Sequence, residues 1–98
     1  MLIKIHKSYR EIVAICDSEL LGKRYEEGRR LLDIRESFFN GDEYNEEETI
    51  ELMKTRSEDD ATFNIIGKKS INAALKAGII SKEGVMKVKG IPFALVLL

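Results

Sequence analysis

The sequence predicts a single-domain α+β fold, with a mixed or antiparallel sheet of about four to five strands and two principal helices. Short runs rich in isoleucine and valine alternate with turn residues, as is typical of strands. Two other segments carry the residues that start and stop helices. The 98 residues have room for one hydrophobic core, so residues 1–98 are expected to form one domain.

The first two strands are predicted to form a hairpin. Residues 2–7 alternate in polarity, residues 11–17 contain a continuous apolar run, and a polar turn at residues 8–10 separates them. Because both faces of the second strand are apolar, we expect it to lie inside the sheet and to be covered on both sides.

The register of this hairpin bears on catalysis. A two-residue turn at residues 9 and 10 would place His6 opposite Val13, with the imidazole of His6 and the thiol of Cys16 on opposite faces of the sheet. This register disfavours a Cys/His catalytic pair, although a slip of one residue would reverse the inference.

A basic cluster follows the second strand. Residues 18–21 predict at most one turn of helix, and loops containing Gly22 and Gly28 are expected around it. The cluster consists of Lys23, Arg24, Tyr25, Arg29 and Arg30. Guanidinium groups bind phosphate and tyrosine can stack on a base, so the cluster is a candidate RNA contact. The carboxylates of Glu26 and Glu27 reduce the net positive charge of the cluster. The alternative interpretation is a solvated loop with no binding role.

The middle of the chain predicts a third strand and an acidic helix. Residues 31–34 are apolar enough for a strand, and residues 38–39 supply aromatic core before an Asn-Gly turn. Asn45, with Glu48 three residues later, has the pattern of a capping box, which predicts a helix over residues 45–56.

The second principal helix is predicted over residues 68–77. Gly67 precedes it, and Gly78 can adopt the left-handed conformation that ends a helix. A helix start presents free backbone N–H groups, so the segment Gly67, Lys68, Lys69, Ser70 could hold a phosphate. The spacing does not match the Walker phosphate loop, and an ordinary solvated helix start is the alternative.

Two strands are expected near the end of the chain. Residues 85–89 alternate in polarity, and residues 93–98 are apolar throughout. Such an apolar strand must be covered, either inside the sheet or at an interface between copies of the chain.

Composition excludes several classes of protein. No apolar run approaches the roughly 18–20 residues of a membrane span, so we expect a cytoplasmic protein without membrane contact. One cysteine and one histidine allow neither an internal disulfide nor a Cys/His zinc site within one chain. Glutamine is absent while glutamate and lysine abound, a bias typical of thermophile proteins.

The charge distribution is bipolar. The net charge is +1 over residues 1–41, −7 over residues 42–60 and +5 over residues 61–98, which together give −1. The total disfavours general nucleic-acid binding by net charge but leaves room for one positive face.

No catalytic constellation is evident. The clustered carboxylates lie on a predicted exposed helix, and no glycine-rich dinucleotide fingerprint follows a strand. We therefore expect a protein that is not an enzyme and needs no cofactor or metal. A small-ligand enzyme around Cys16 and Asp17 is the least favoured alternative.

Several sequence blocks point to a known family. They are Cys16-Asp17-x-Glu19-Leu20-Leu21-Gly22-Lys23 followed by Tyr25 and Glu27-Gly28, then Phe38-Phe39 before Gly41, Ala61-x-x-Asn64-Ile65-Ile66-Gly67, Gly78-Ile79-Ile80 and Gly90-Ile91-Pro92. Over nearly the whole chain they resemble an uncharacterised archaeal family, domain of unknown function number 424. The resemblance implies a cytosolic archaeal protein of mixed α and β structure and supplies no activity. Many members carry His at the position of Phe93, so any acid–base role of that histidine is absent here.

Two functional hypotheses follow. The first is a non-enzymatic RNA- or ribonucleoprotein-binding module linked to translation, whose partner is RNA or a ribosomal particle. The second is a protein-interaction adaptor or homo-oligomer that uses the acidic helix and the apolar C-terminal strand. Salt-sensitive binding would favour the first hypothesis, and a concentration-dependent mass the second.

Overall fold

The computed structural model describes residues 1–97, which form eight strands and three α-helices. In chain order they are β1 (Leu2–His6), β2 (Ile12–Cys16), β3 (Arg24–Glu27), β4 (Arg30–Asp33), α1 (Glu36–Phe39), β5 (Asp42–Glu43), α2 (Glu46–Glu58), β6 (Thr62–Ile66), α3 (Lys68–Ala77), β7 (Met86–Val88) and β8 (Ile91–Val96), with 3₁₀ turns at Ser18–Leu20 and Lys82–Gly84. The predicted α+β class is confirmed, and the main sheet has six strands rather than four or five.

The six-stranded sheet has the order β5-β1-β2-β6-β8-β7, and β3 with β4 forms a separate two-stranded hairpin. β2 and β6 run parallel, and the other neighbouring strands of the main sheet are antiparallel. The predicted place of β2 inside the sheet is confirmed, since Val13 and Cys16, which face opposite sides, are both fully buried.

The two faces of the sheet are covered differently. On the face that we call the helix face, α2 and α3 pack over a core that contains Ile15 and Phe63. On the opposite face, the hairpin face, α1 and the β3–β4 hairpin cover a smaller core around Cys16, Leu32 and Phe39. Because the hairpin face is only partly covered, it retains a groove that is described below.

The acidic helix begins as predicted. The Asn45 side chain accepts a hydrogen bond from the Glu48 N–H at 2.8 Å, and the Glu48 carboxylate accepts one from the Asn45 N–H at 2.9 Å, which completes the capping box. The helix continues to Glu58, two residues beyond its predicted end at Arg56.

The predicted limits of α3 are confirmed at both ends. Gly78 has φ +76° and ψ +16°, and the Ile79 N–H donates to the Ala74 carbonyl, as in a glycine-terminated helix. Ile71 and Ala74 face the core, whereas Lys68, Lys69, Asn72 and Lys76 are exposed.

The predicted register between β1 and β2 is wrong. His6 lies opposite Ile12 and Leu2 opposite Cys16, because the connection takes residues 7–11 rather than two turn residues. The Ser8 hydroxyl donates to the Arg10 carbonyl and closes this longer loop. His6 and Cys16 therefore lie on the same face of the sheet, not on opposite faces.

Near the end of the chain, β7 and β8 form a hairpin through a two-residue turn in which Lys89 and Gly90 both have positive φ. β8 lies between β6 and β7, so the apolar strand predicted over residues 93–98 is an inner strand at its start. β7 begins at Met86, opposite Phe93, so residues 94–96 have a partner strand on one side only. Residue 98, the last of the predicted strand, lies outside the described residues.

Candidate nucleic-acid interface

The β3–β4 hairpin carries the predicted basic cluster, in a segment where the sequence predicted loops. The turn between β3 and β4 contains Gly28, whose backbone angle φ is +62°. Leu32 is buried, and Tyr25 opposite it is half-buried and packs against the hairpin-face core. The hairpin forms because one side of an otherwise charged segment is apolar and covers the sheet.

The predicted cluster residues lie in different environments. Lys23, Arg24, Arg29 and Arg30 are exposed. Arg24 forms an ion pair with Glu26 at 3.2 Å on the outer side of the hairpin. Because Tyr25 packs against the core, it anchors the hairpin rather than presenting a free ring to a base.

The tip of the hairpin lies against β7. The Arg30 guanidinium donates to the Lys87 carbonyl at 3.4 Å, and the Lys89 N–H donates to the Glu27 carboxylate at 2.9 Å. These contacts bring Arg29 and Arg30 next to two lysines that lie more than fifty residues later in the sequence.

β7 in turn adjoins the start of α3. Lys87 pairs with Pro92 of β8, and the Pro92 carbonyl accepts a hydrogen bond from the Gly67 N–H at 2.8 Å. Pro92 also lines a shallow depression together with Lys68 and Lys69. The edge of the sheet at β7 therefore joins the two basic segments that the sequence analysis treated separately.

We call the exposed cations around this edge the basic strip. Its cationic residues are Arg29, Arg30, Lys89, Lys87, Lys68 and Lys69. All are exposed, and none forms an ion pair with another residue of the described chain. By contrast, Arg24, Arg35, Arg56 and Lys76 each have a carboxylate partner. The six cations of the strip therefore have no ion-pair partner in the described chain, although the carboxylates of Asp17 and Glu43 lie near Lys69 and that of Glu27 lies near Lys89.

The start of α3 already holds an anion, which belongs to the protein. Asp17 is only 4% exposed and accepts hydrogen bonds from the Lys69 N–H at 3.1 Å and from both the N–H and the hydroxyl of Ser70 at 2.8 Å. A carboxylate at a helix start is stabilised by the free N–H groups and the helix dipole.

The predicted phosphate site at Gly67, Lys68, Lys69 and Ser70 is therefore corrected in one respect. The backbone donors of Lys69 and Ser70 are occupied by Asp17, and only the lysine side chains remain available. The parallel pairing of β2 and β6 causes this, because it brings the residue after β2 to the same sheet edge as the helix that follows β6.

A groove of about 530 Å³ lies on the hairpin face beside the basic strip. Apolar side chains form most of its wall, and the polar residues around it are Asp33, Arg35, Ser37 and Asn64. The Arg35 side chain donates to the Asp33 carboxylate at 2.8 Å, an interaction that raises the pKa of Arg35. Sequence reasoning missed Asn64 as a site residue, although a polar amide inside an apolar strand could have indicated it.

Cys16 and His6 share a face but do not form a catalytic pair. Cys16 lies opposite Leu2, and His6 is four residues further along β1, which separates the two by roughly 13 Å. His6 instead stacks on Phe38 with ring centroids 4.5 Å apart, and its Nε2 forms a hydrogen bond of 2.9 Å with the Phe38 carbonyl.

The thiol of Cys16 is expected to alkylate slowly. Burial, and secondarily the adjacent Asp17 carboxylate, raises the pKa of the Cys16 thiol to about 11. At pH 8 we expect iodoacetamide to label the native protein roughly 100-fold more slowly than the urea-unfolded chain, because the thiolate is the reactive species. Mass spectrometry of timed samples measures both rates. Native labelling within tenfold of the unfolded rate would show an accessible, activated thiol.

The block from Cys16 to Lys23 links the sheet to the hairpin. Asp17 caps α3, Leu20 is buried in the hairpin-face core, and the Gly22 N–H donates to the Ile34 carbonyl at 2.7 Å. These contacts give the block a structural role in positioning the hairpin. Within residues 1–97, no group of three or more His, Cys, Asp or Glu side chains is arranged to hold a metal ion.

The fold and its surface define a small α+β domain with a basic strip and an adjoining groove. The chain belongs to the family described as Protein of unknown function (DUF424), whose model matches residues 6–98. This confirms the family that the sequence blocks indicated. No curated protein matches the chain.

A solved structure shares the fold. The chain is similar to the crystal structure of an uncharacterized conserved protein from Methanopyrus kandleri, with a TM-score of 0.83 and 22% sequence identity. The match covers 97% of this chain and 88% of the other. No helix in the described part of this chain is long and apolar enough to cross a membrane.

Proposed function

We propose that this protein is a non-enzymatic module that binds RNA, free or within a ribonucleoprotein particle, through the basic strip. The observation that carries the proposal is the contact of the β3–β4 hairpin with β7, which places the hairpin tip, with Arg29 and Arg30, against the backbone of Lys87 and Lys89. Phosphate contacts by such side chains supply most of the sequence-independent affinity for nucleic acid.

The arrangement of charge supports this function. The acidic residues nearest the hairpin tip are engaged, since Glu27 accepts the Lys89 N–H and Glu26 pairs with Arg24. The acidic α2 begins beside α3, where Glu46 pairs with Lys76 at 2.6 Å and lines the same depression as Lys68 and Lys69. Because positive and negative charge lie on different parts of this small domain, its electric field favours approach to a polyanion with the basic strip first.

The function is tested by removing the hairpin end of the strip. The double variant Arg29→Ala/Arg30→Ala is expected to bind a fluorescent single-stranded RNA decamer roughly 10- to 100-fold more weakly, and to make the plot of log affinity against log salt shallower by about 1 to 2. Fluorescence anisotropy across a salt series measures both quantities.

The matched control is the double variant Lys7→Ala/Lys54→Ala, which removes the same charge from exposed residues outside the strip. This control variant should retain nearly the wild-type affinity for the RNA decamer and nearly the wild-type slope of log affinity against log salt. Equal loss in the two double variants would show that net charge rather than the strip determines binding.

A second candidate function is protein association. Leu95 and Leu97 of the C-terminal segment are 49% and 69% exposed, and the outer edge of β8 is unpaired beyond Phe93. An unpaired edge with exposed leucines can accept another strand. A mass that rises with protein concentration in sedimentation, without RNA, would favour association over RNA binding.

A further inference from the structure

The groove on the hairpin face adjoins the basic strip at β4, where Leu31 of the groove follows Arg30 of the strip. One wall is formed by Leu31 and Leu32 of β4, the strand that begins at Arg30 of the strip. The opposite wall includes Phe93 and Leu95 of β8. Leu31 and Leu95 are each 49% exposed, so the groove is open to solvent and lined by apolar surface.

Asn64 is the unusual residue of this groove. It lies in the inner strand β6, opposite Ala14 of β2 on one side and Leu95 of β8 on the other. Its side chain forms no hydrogen bond with any described residue. An amide offers two donor hydrogens and a carbonyl acceptor, and because the described residues contain no buried side-chain N or O atom without a hydrogen-bond partner, those of Asn64 are open to solvent and to a bound ligand.

The surroundings of Asn64 suit a flat ring with polar edges. Aromatic side chains flank the groove, namely Phe38 from α1 and Phe93 from β8. Both are partly buried, and Phe38 is held in place by its stacking on His6. Asparagine can pair with a base edge through both its donor and its acceptor, and bases stack on aromatic rings.

We propose that the groove binds one unpaired nucleobase of the RNA whose phosphates lie on the basic strip. This inference rests on the proposed function and adds the substrate class, which is single-stranded rather than fully paired RNA. The base lies against the Phe93 side of the groove with its edge on the Asn64 amide. The adjoining phosphates lie on the cations of the basic strip, since Arg35 at the groove is already paired with Asp33.

The first test uses nucleosides, which carry no phosphate. Adenosine is titrated into isotope-labelled protein, and the side-chain amide resonances of Asn64 are followed by NMR. We expect these resonances and the methyl groups of Leu31 and Leu95 to shift together and to saturate. Absence of any shift up to the solubility limit of adenosine would overturn the base site.

The second test compares two fluorescent decamers, an adenosine RNA and an abasic RNA with the same number of phosphates. The wild-type protein should bind the adenosine decamer roughly 5- to 20-fold more tightly, because stacking and edge contacts add to phosphate contacts. Asn64→Ala should remove most of that preference while leaving the affinity for the abasic decamer unchanged. The matched control is Asn40→Ala, an exposed asparagine outside the groove, which should keep the preference.

The outcomes separate the groove from the strip. Equal, salt-sensitive binding of both decamers would overturn the base site and leave the basic strip as an RNA contact. Failure of both decamers to bind at low salt would contradict both the RNA-binding role of the basic strip and the base site. Groove resonances that shift with protein concentration instead would assign the groove to a second copy of the chain and overturn the proposal.

Discussion

Gly67→Ala is expected to lower the free energy of unfolding by about 4 kcal/mol or more. Gly67 has φ +112° and ψ +157°, a conformation that is essentially restricted to glycine. A Cβ at this position would lie 2.3 Å from the Asp17 Cγ. The new methyl group must therefore displace the carboxylate that caps α3 or shift the backbone at the start of the helix.

Gly78→Ala is the matched control for this prediction. Gly78 flanks the other end of α3 with φ +76°, but a Cβ there would meet no atom within 4 Å. We expect a loss of about 1 kcal/mol from backbone strain alone. Urea unfolding followed by circular dichroism measures both variants, and losses of similar size would contradict the account of Gly67.

Asp17→Ala is expected to lower the free energy of unfolding by about 3 kcal/mol. The substitution leaves the N–H and hydroxyl of buried Ser70 without an acceptor, and it removes the anion from the start of α3. Asp17→Asn keeps one carbonyl oxygen as an acceptor, so about half of that loss is expected.

The control for Asp17 is Glu19→Ala, which removes a neighbouring exposed carboxylate and should change stability by less than about 0.5 kcal/mol. The same urea unfolding series measures all three variants. A loss below 1 kcal/mol for Asp17→Ala would show that water replaces the carboxylate at the helix start.

The local parts of the fold were predictable because their causes lie within a few residues. The capping box of Asn45 and Glu48 and the terminal Gly78 of α3 depend only on neighbouring backbone geometry. The register of β1 on β2 was missed because the length of the connecting loop decides it, and a polar loop of several residues has no unique turn signature. The charged strand β3 was missed because only Tyr25 contributes an apolar contact.

The parts of the site that depend on strand order could not be predicted. The sequence indicated the arginines of the hairpin and the lysines at the start of α3 as separate groups. Their connection requires β8 and β7 to follow β6 in the sheet, an order that periodicity does not specify. The same topology places Asp17 at the start of α3 and turns an expected phosphate site into an internal cap.

The salt dependence of RNA binding by the wild-type protein tests the central claim most directly. If the six cations of the basic strip contact phosphates, the plot of log affinity for a single-stranded RNA decamer against log salt should have a slope of about −4. Binding that is absent at low salt, or whose slope is close to zero, would contradict an RNA-binding function for the strip.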